Sequence, residues 1–206
     1  MNSMKNSQKY RITFILMAIN IAVYIYTSVV GGDWLNTNFN LIVQYGQVNG
    51  LVLGYGWYYQ LFTSLFIHVT IVHLAGNMMF LLIFGLRAEE MFSLPEYLFL
   101  YFVGGLVGNL LSLVFLPLWV PSAGASGAIF GMFGACTIYI RRTVGQSIMG
   151  ALMFAFFLLL ISSGPEVNNL AHIGGLVAGL LIGYVLASRR KPETVYSHNY
   201  SYTTPF

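Results

Sequence analysis

Two residues that lie far apart in the sequence have side chains that could act together as a nucleophile and a base. Ser126 lies in the segment Gly124-Ala125-Ser126-Gly127, whose small residues leave room for a substrate backbone. A serine hydroxyl is a weak nucleophile until a neighbouring base takes its proton. His172 is the natural base, since an unperturbed histidine titrates near pH ~6.5. Taken singly, each residue also fits a structural role, the serine as an N-cap and the histidine as a hydrogen-bonded group inside a helix bundle.

His73 and Asn77 form a second polar pair, spaced i and i+4. On a helix this spacing places both side chains on one face. Donors on such a face could hold an oxyanion, and in known hydrolases the loss of one donor lowers the rate by ~10²–10³. The alternative is that the two side chains only make polar contacts between helices.

The composition indicates what kind of element must position these residues. Of the 206 residues, 7% are charged and 57% are hydrophobic, whereas about 25% are charged in a typical soluble domain. The mean hydropathy is +0.74. Lipid must therefore supply part of the solvent. The basic residues form no stripe, so we expect no nucleic-acid partner, and the single cysteine, Cys136, excludes an intrachain disulfide.

The apolar runs are continuous, which favours membrane-spanning helices over an alternating barrel. A bilayer core of ~30 Å requires ~20 apolar residues. The sequence predicts an all-α bundle of six transmembrane helices. Its fourth and fifth members are short, so either they lie inside the bundle, shielded from lipid, or the bilayer thins around them. The first run is expected to be a retained helix and not a signal peptide. The predicted spans are roughly 12–30, 64–86, 96–117, 126–141, 147–163 and 169–188.

The basic residues predict the orientation of this bundle. With six spans, all nine fall on one side, which the positive-inside rule makes cytoplasmic, together with both termini. Residues 1–191 are thus predicted to form the membrane domain, and residues 192–206 a polar C-terminal tail. The nine residues are Lys5, Lys9, Arg11, Arg87, Arg141, Arg142, Arg189, Arg190 and Lys191.

This topology brings polar residues of spans 2, 4 and 6 toward the same outer face of the membrane, with His68 among them. Polar residues inside spans are costly and are functional candidates by default. The acids of the outer side, Asp33 and Glu166, both lie in predicted loops, so a Ser-His dyad is the economical interpretation. Phe130 could orient His172 by stacking, since it lies i+4 from Ser126 on the same helix face.

Two further features bear on the arrangement of the bundle. Gly175, Gly179 and Gly183 repeat every four residues, which lets a neighbouring helix approach closely, and a neighbour in span 4 would bring His172 near Ser126. The loop between spans 1 and 2, about residues 31–63, is rich in aromatic residues. It either lies partly in the membrane interface or is an ordinary loop.

Three motifs stand in order on predicted spans 2, 4 and 6. They are His73-x-x-x-Asn77, Gly124-x-Ser126-Gly127 and Ala171-His172-x-x-Gly175-x-x-x-Gly179. In this order they resemble the rhomboid protease family, and the resemblance covers about residues 12–188.

The resemblance implies a Ser126–His172 catalytic dyad and an oxyanion hole formed by His73, Asn77 and the Ser126 amide. It implies cleavage of single-pass membrane proteins in or near their transmembrane segment, without metal or cofactor. A multi-pass protein of the cell membrane, with its active site toward the extracytoplasmic side, is therefore expected. We expect the substrate to enter laterally between helices. Either span 5, whose face carries Phe154, Phe156 and Phe157, or the loop between spans 1 and 2 would gate this entry.

This chain departs from the family pattern at two positions. Many members have a Trp-Arg pair before span 2, where this chain has Tyr59-Gln60, so the anchoring of that loop is open. Phe130 stands where many members have tyrosine; the ring is kept and the hydroxyl is lost.

Other functions fit the residues less well. A metal-dependent membrane enzyme would need a ligand set, but no His-Glu-x-x-His occurs and His68 and His73 are five residues apart. A transporter would show broken helices and inverted repeats. A catalytically silent protein that binds transmembrane helices stays an alternative.

Overall fold

A computed structural model describes residues 11–144, 149–150, 153 and 167–190 of the chain. This part of the chain is helical, and two isolated antiparallel bridges are the β-type pairing within it. A 3-10 turn, Ser64–Phe66, follows the fourth helix. The helices are α1 Arg11–Gly31, α2 Phe39–Tyr45, α3 Asn49–Tyr55, α4 Gln60–Thr63, α5 Ile71–Met91, α6 Leu94–Phe115, α7 Ser126–Val144 and α8 Asn169–Ser188.

Four of these helices, α1, α5, α6 and α8, are long and apolar enough to cross a membrane. They correspond to predicted spans 1, 2, 3 and 6. Most of the predicted fifth span, 147–163, and all of the predicted tail, 192–206, lie outside the described residues, as do residues 1–10. The structure therefore supports a multi-pass membrane protein and leaves the count of six spans a prediction.

The fourth predicted span is the central helix of the described bundle. Residues 127–136 of α7 are all buried, while α7 ends in the charged pair Arg141 and Arg142. Helices α5, α6 and α8 all pack against it. Of the two alternatives for this short span, the burial of residues 127–136 supports a position inside the bundle, since neighbouring helices cover this part of α7.

The start of the second predicted span, at residue 64, is wrong. Helix α5 begins at Ile71, because the Thr70 side chain caps it by accepting a hydrogen bond from the His73 backbone N–H at 3.0 Å. The residues before Thr70 instead contact the loop that follows α1. The Thr37 N–H donates to the Val69 carbonyl at 2.8 Å.

The loop after α1 contains three short helices. The loop as a whole exposes large aromatic side chains, which suits a position beside the headgroups. The most exposed of these aromatics are Trp34, Phe39, Tyr55 and Tyr58.

The end of the bundle opposite Ser126 is fastened by charged side chains. Arg190, after α8, forms a 2.7 Å ion pair with Glu96 at the start of α6 and donates to the Tyr139 hydroxyl of α7 at 2.8 Å. The Glu89 carboxylate accepts the backbone N–H groups of Ile12 and Thr13, at 2.6 and 3.0 Å. Charged residues that the sequence assigns to the cytoplasmic side thus meet at one end.

Candidate active site

Ser126 and His172 are brought together across the interface of α7 and α8. The Ser126 Oγ and the His172 Nε2 lie 2.8 Å apart, within hydrogen-bond distance. Ser126 is the first residue of α7 and therefore not its N-cap, which is the residue before the helix. Its side chain instead contacts the imidazole of His172. The first backbone N–H groups of a helix have no partner within that helix. The Ser126 amide is therefore a free donor next to its own hydroxyl.

The backbone before Ser126 has a conformation that glycine favours. Gly124 has φ +128°, and a Cβ at this position would lie 2.9 Å from the Nε2 and Cε1 atoms of His73. The Gly124 N–H donates to the Ser64 carbonyl at 2.9 Å. A side chain at residue 124 would strain the backbone and displace the His73 ring.

The glycine stripe of α8 packs directly on α7, as its spacing predicts. Added methyl groups at Gly175 and Gly179 would overlap the backbone of Gly127 and Gly131, and one at Gly183 would overlap Ala135. Both helices therefore present small residues at i, i+4 and i+8. This backbone contact lets the side chains of Ser126 and His172 meet, because two short polar groups cannot bridge an ordinary helix separation of 8–10 Å.

The Phe130 ring stacks on the His172 imidazole. Their centroids lie 4.5 Å apart and their planes are 19° apart. The Nδ1 atom of His172 has no hydrogen-bond partner, so within the described residues no carboxylate completes a triad. The stack holds the imidazole plane against α7.

His73 and Asn77 lie on the first turns of α5 and face the same cleft as Ser126 and His172. The Asn77 Nδ2 donates to the His73 backbone carbonyl at 2.9 Å, which fixes the amide orientation because a carbonyl can only accept. The second Nδ2 hydrogen stays free. Donors from α5 and α7 therefore border one space.

His68 does not lie on α5, contrary to the sequence prediction. It is 1% exposed in the segment before the helix, and its ring meets the His73 ring edge-on with centroids 5.2 Å apart. Among the described residues, neither of its ring nitrogens makes a hydrogen bond of ordinary length and angle. Burial, and secondarily the neighbouring His73, lower the pKa of His68 to about 3. A helix through both residues would place the two rings on different faces, because they are five residues apart. They meet because His68 lies in the extended segment before α5 and not on the helix.

A cleft of about 490 Å³ runs between α5 and α7 beside these residues. Its deeper wall is apolar and aromatic, and it includes Phe84, Ile129 and Phe133. Such a cleft suits an apolar chain segment that presents one polar bond to the Ser126 end.

A smaller polar cavity of about 20 Å³ lies on the other side of Ser126. Its lining includes Asn109, Ser122 and Asn168, which the sequence analysis did not single out. The Asn109 Nδ2 donates to the Ser64 Oγ at 2.9 Å. The backbone carbonyl of Asn109 accepts a hydrogen bond from the Gln47 Nε2 at 3.0 Å. A polar residue inside the third predicted span was the signal that could have identified this network.

The Tyr59-Gln60 pair anchors its loop, which the sequence left open. Gln60 is fully buried; its Oε1 accepts the Val48 N–H at 2.9 Å and its Nε2 donates to the Val43 carbonyl at 2.7 Å. The Tyr59 hydroxyl donates to the Gln44 carbonyl at 3.1 Å. The pair thus holds α2 and α3 against the start of α4.

Among the residues that the structure describes, no group of three or more His, Cys, Asp or Glu side chains could hold a metal ion. Cys136 is buried in α7, away from the Ser126 end.

Comparison with known proteins gives one family. The family model of the rhomboid domain matches residues 55–189, which include every candidate site residue. The rhomboid protease GluP of Bacillus subtilis is 32% identical over an alignment of 187 positions, which covers 84% of this chain and 34% of GluP.

Two further relatives extend this likeness. The mitochondrial RHOMBOID-like protein 6 of Arabidopsis thaliana is 36% identical over 134 residues, 62% of this chain and 43% of that protein. The putative rhomboid protease YdcA of Bacillus subtilis is 31% identical over 151 residues, 70% of this chain and 76% of that protein. The chain therefore spans about a third of GluP and less than half of the Arabidopsis protein.

Proposed function

The chain belongs to the rhomboid family, and we propose that it is an intramembrane serine endopeptidase acting on transmembrane segments of membrane proteins. The observation that carries the proposal is the 2.8 Å distance between the Ser126 Oγ and the His172 Nε2. A half-buried serine and a buried histidine in this geometry supply a nucleophile and its base.

In the proposed mechanism, the His172 Nε2 takes the proton of Ser126 as the Oγ attacks the carbonyl carbon of the scissile peptide bond. The imidazolium then gives this proton to the leaving amine as the C–N bond breaks. Water, activated by His172, next hydrolyses the acyl-enzyme and restores the serine. Every step uses side chains of the chain and water, and so needs no metal or cofactor.

The negative charge on the carbonyl oxygen would be held by His73, Asn77 and the Ser126 amide. These groups border the cleft at its Ser126 end, and the N-terminus of α7 adds the positive end of the helix dipole. Fixed donors of this kind stabilise the tetrahedral intermediate because they need no reorganisation during the reaction.

The cleft supports single-pass membrane proteins as the substrate class. Its aromatic deeper wall fits an apolar segment, and the polar end lies where a peptide bond must be exposed. We further propose six spans in the cell membrane, with cytoplasmic termini and the site toward the extracytoplasmic side. The clustering of Glu96 and Arg190 opposite Ser126 supports this orientation.

The experiment compares wild type with Ser126→Ala for cleavage of a single-pass test protein in proteoliposomes. Ser188→Ala is the matched control, since its hydroxyl bonds the Tyr184 carbonyl at the other end of the bundle. We expect cleavage by wild type and by the control, and none by Ser126→Ala. Cleavage that persists in Ser126→Ala would contradict the proposal.

A wild type that neither cleaves nor reacts with a fluorophosphonate probe would instead favour a silent protein that binds transmembrane helices. A wild type that reacts with the probe at Ser126 but does not cleave would show an active site presented with an unsuitable substrate, and other single-pass proteins would then be tested.

A further inference from the structure

Asn168, the residue before α8, uses all of its side-chain polar atoms. Its Oδ1 caps α8 by accepting the Ala171 N–H at 3.0 Å. Its Nδ2 donates to the Ser112 Oγ at 2.7 Å and to the Ser122 Oγ at 2.6 Å. One short side chain therefore joins α8 to α6 and to the loop that leads into α7.

The spacing of these contacts matches that of the dyad. Asn168 lies four residues before His172, and Ser122 lies four residues before Ser126. The two segments are thus held together at two points, by Asn168 and Ser122 at 2.6 Å and by His172 and Ser126 at 2.8 Å. A shift of α8 along its axis would have to break both contacts.

The partners of Asn168 are themselves fixed. Ser122 exchanges two backbone hydrogen bonds of 2.8 Å with Gln47. Ser112 is fully buried in α6, and its hydroxyl donates to the Gly108 carbonyl at 2.8 Å. Asn168 therefore sets the first turn of α8 against parts of the molecule that do not belong to that helix.

The glycine contact between α7 and α8 does not supply this restraint along the helix axis. Small residues allow two helices to approach, but they offer few side chains that interlock and oppose sliding. The hydrogen bonds of Asn168 lie at the end of the interface that carries His172. They supply the directional contact that the glycine faces lack.

We propose that Asn168 is a positioning residue that sets the distance between His172 and Ser126 through its bond to Ser122. This inference rests on the proposed serine endopeptidase function. It assigns Asn168 no contact with the substrate, so its removal should lower kcat and leave KM nearly unchanged.

The test uses the full chain in proteoliposomes with two substitutions that both keep the cap. Serine is as good an N-cap as asparagine, but it is too short to reach Ser122 while capping. Aspartate keeps the cap, and its second oxygen can accept the Ser122 hydroxyl. Asn38→Ser is the matched control, since Asn38 caps α2 by accepting the Asn40 N–H at 2.9 Å.

We expect Asn168→Ser to lower kcat by about tenfold to a hundredfold, with KM changed by less than about twofold, because small misplacements of reacting groups cost rates of this order. Fluorophosphonate labelling of Ser126 should slow by a similar factor. Asn168→Asp should restore most of the rate, and Asn38→Ser should match wild type.

An unchanged kcat in Asn168→Ser would overturn the positioning role and leave the proposed function intact. Equal losses in Asn168→Ser and Asn168→Asp, in parallel with lowered melting temperatures, would also overturn it and indicate a purely structural residue. If Asn168→Ser fails to fold, Ser122→Ala tests the positioning role instead, since it removes the bond between Asn168 and Ser122 and keeps the cap of α8. We expect this variant to lower kcat several-fold. An unchanged kcat would overturn the positioning role. A wild type inactive toward both substrate and probe would instead refute the function itself.

Discussion

The two sides of α7 differ in how they are packed. On one side, Gly127 and Gly131 contact the glycines of α8 through backbone atoms. On the other side, Phe130 and Phe133 line a cleft of about 490 Å³ against α5. Helix α7 thus has one face of glycines and a second face of large aromatic side chains.

The difference separates two tasks. The two side chains proposed to react lie across the packed side, where a fixed backbone contact keeps a short hydrogen bond in place. The groups proposed to bind substrate lie on the open side, where space is available for an apolar chain. Substitutions that are identical in chemistry should therefore have unequal effects on the two sides, and this contrast can be tested.

The largest effect is expected from Gly175→Ala on the packed side. The added methyl group would overlap the Gly127 carbonyl, which belongs to a backbone and cannot rotate away. We expect a loss of about 3 kcal/mol or more of stability, the upper range for overpacking, and loss of cleavage. Thermal unfolding in detergent micelles measures the first and proteoliposome cleavage the second. A variant with wild-type stability would show that α7 and α8 can separate freely.

The next effect concerns the open side, where Asn77→Ala should lower kcat by about 10²–10³, the cost of one oxyanion donor. The melting temperature should stay near that of wild type, because within the described part of the chain the Asn77 side chain bonds only its own helix, at the His73 carbonyl. Asn20→Ala is the control, since Asn20 makes the same bond to the Leu16 carbonyl in α1. Equal kinetic losses in both variants would contradict a role in the oxyanion hole.

A smaller effect on stability is expected from a change of pH. It acts through His68, which is buried against the ring of His73. Its pKa of about 3 lies below the value of about 6.5 in an unfolded chain. The stability due to neutral His68 is therefore complete above pH ~6.5 and is lost as pH falls toward 3. Lowering the pH from 7.5 to 5.5 should cost about 1.4 kcal/mol at this residue.

Melting temperatures of wild type and His68→Gln at both pH values measure this contribution, since the other histidines titrate in both proteins. The gap between the two proteins should narrow at pH 5.5. A gap that stays constant would show that the surroundings of His68 admit its protonation.

The smallest effect is expected from Gly76→Ala, the counterpart of the first substitution on the open side. A Cβ at Gly76 meets no atom within 4 Å and would face the cleft. Because alanine favours helix over glycine by up to about 1 kcal/mol, the melting temperature should be unchanged or slightly raised. Destabilisation comparable to that of Gly175→Ala would remove the distinction between the two sides of α7.

The sequence by itself determined the membrane class, five of the helices and the identity of the candidate residues. Bilayer thickness requires long apolar runs, and such runs can be read locally; α1, α6, α7 and α8 begin or end within a few residues of their predicted bounds. The glycine stripe likewise predicted a closely packed neighbour, whereas the structure shows that this neighbour is α7. The start of α5 was misjudged because the apolar run continues through residues 64–70, while the Thr70 cap decides where the helix begins.

Only the tertiary structure decided which polar groups meet. The contact of Ser126 with His172 joins residues 46 positions apart, and the pairing of His68 with His73 depends on an extended segment that no helical period describes. The bonds of Asn168 and Asn109 depend on the separation and rotation of several helices at once. Hydrogen bonds need distances near 3 Å and defined angles, and these follow from how whole helices pack, which no local run of residues encodes.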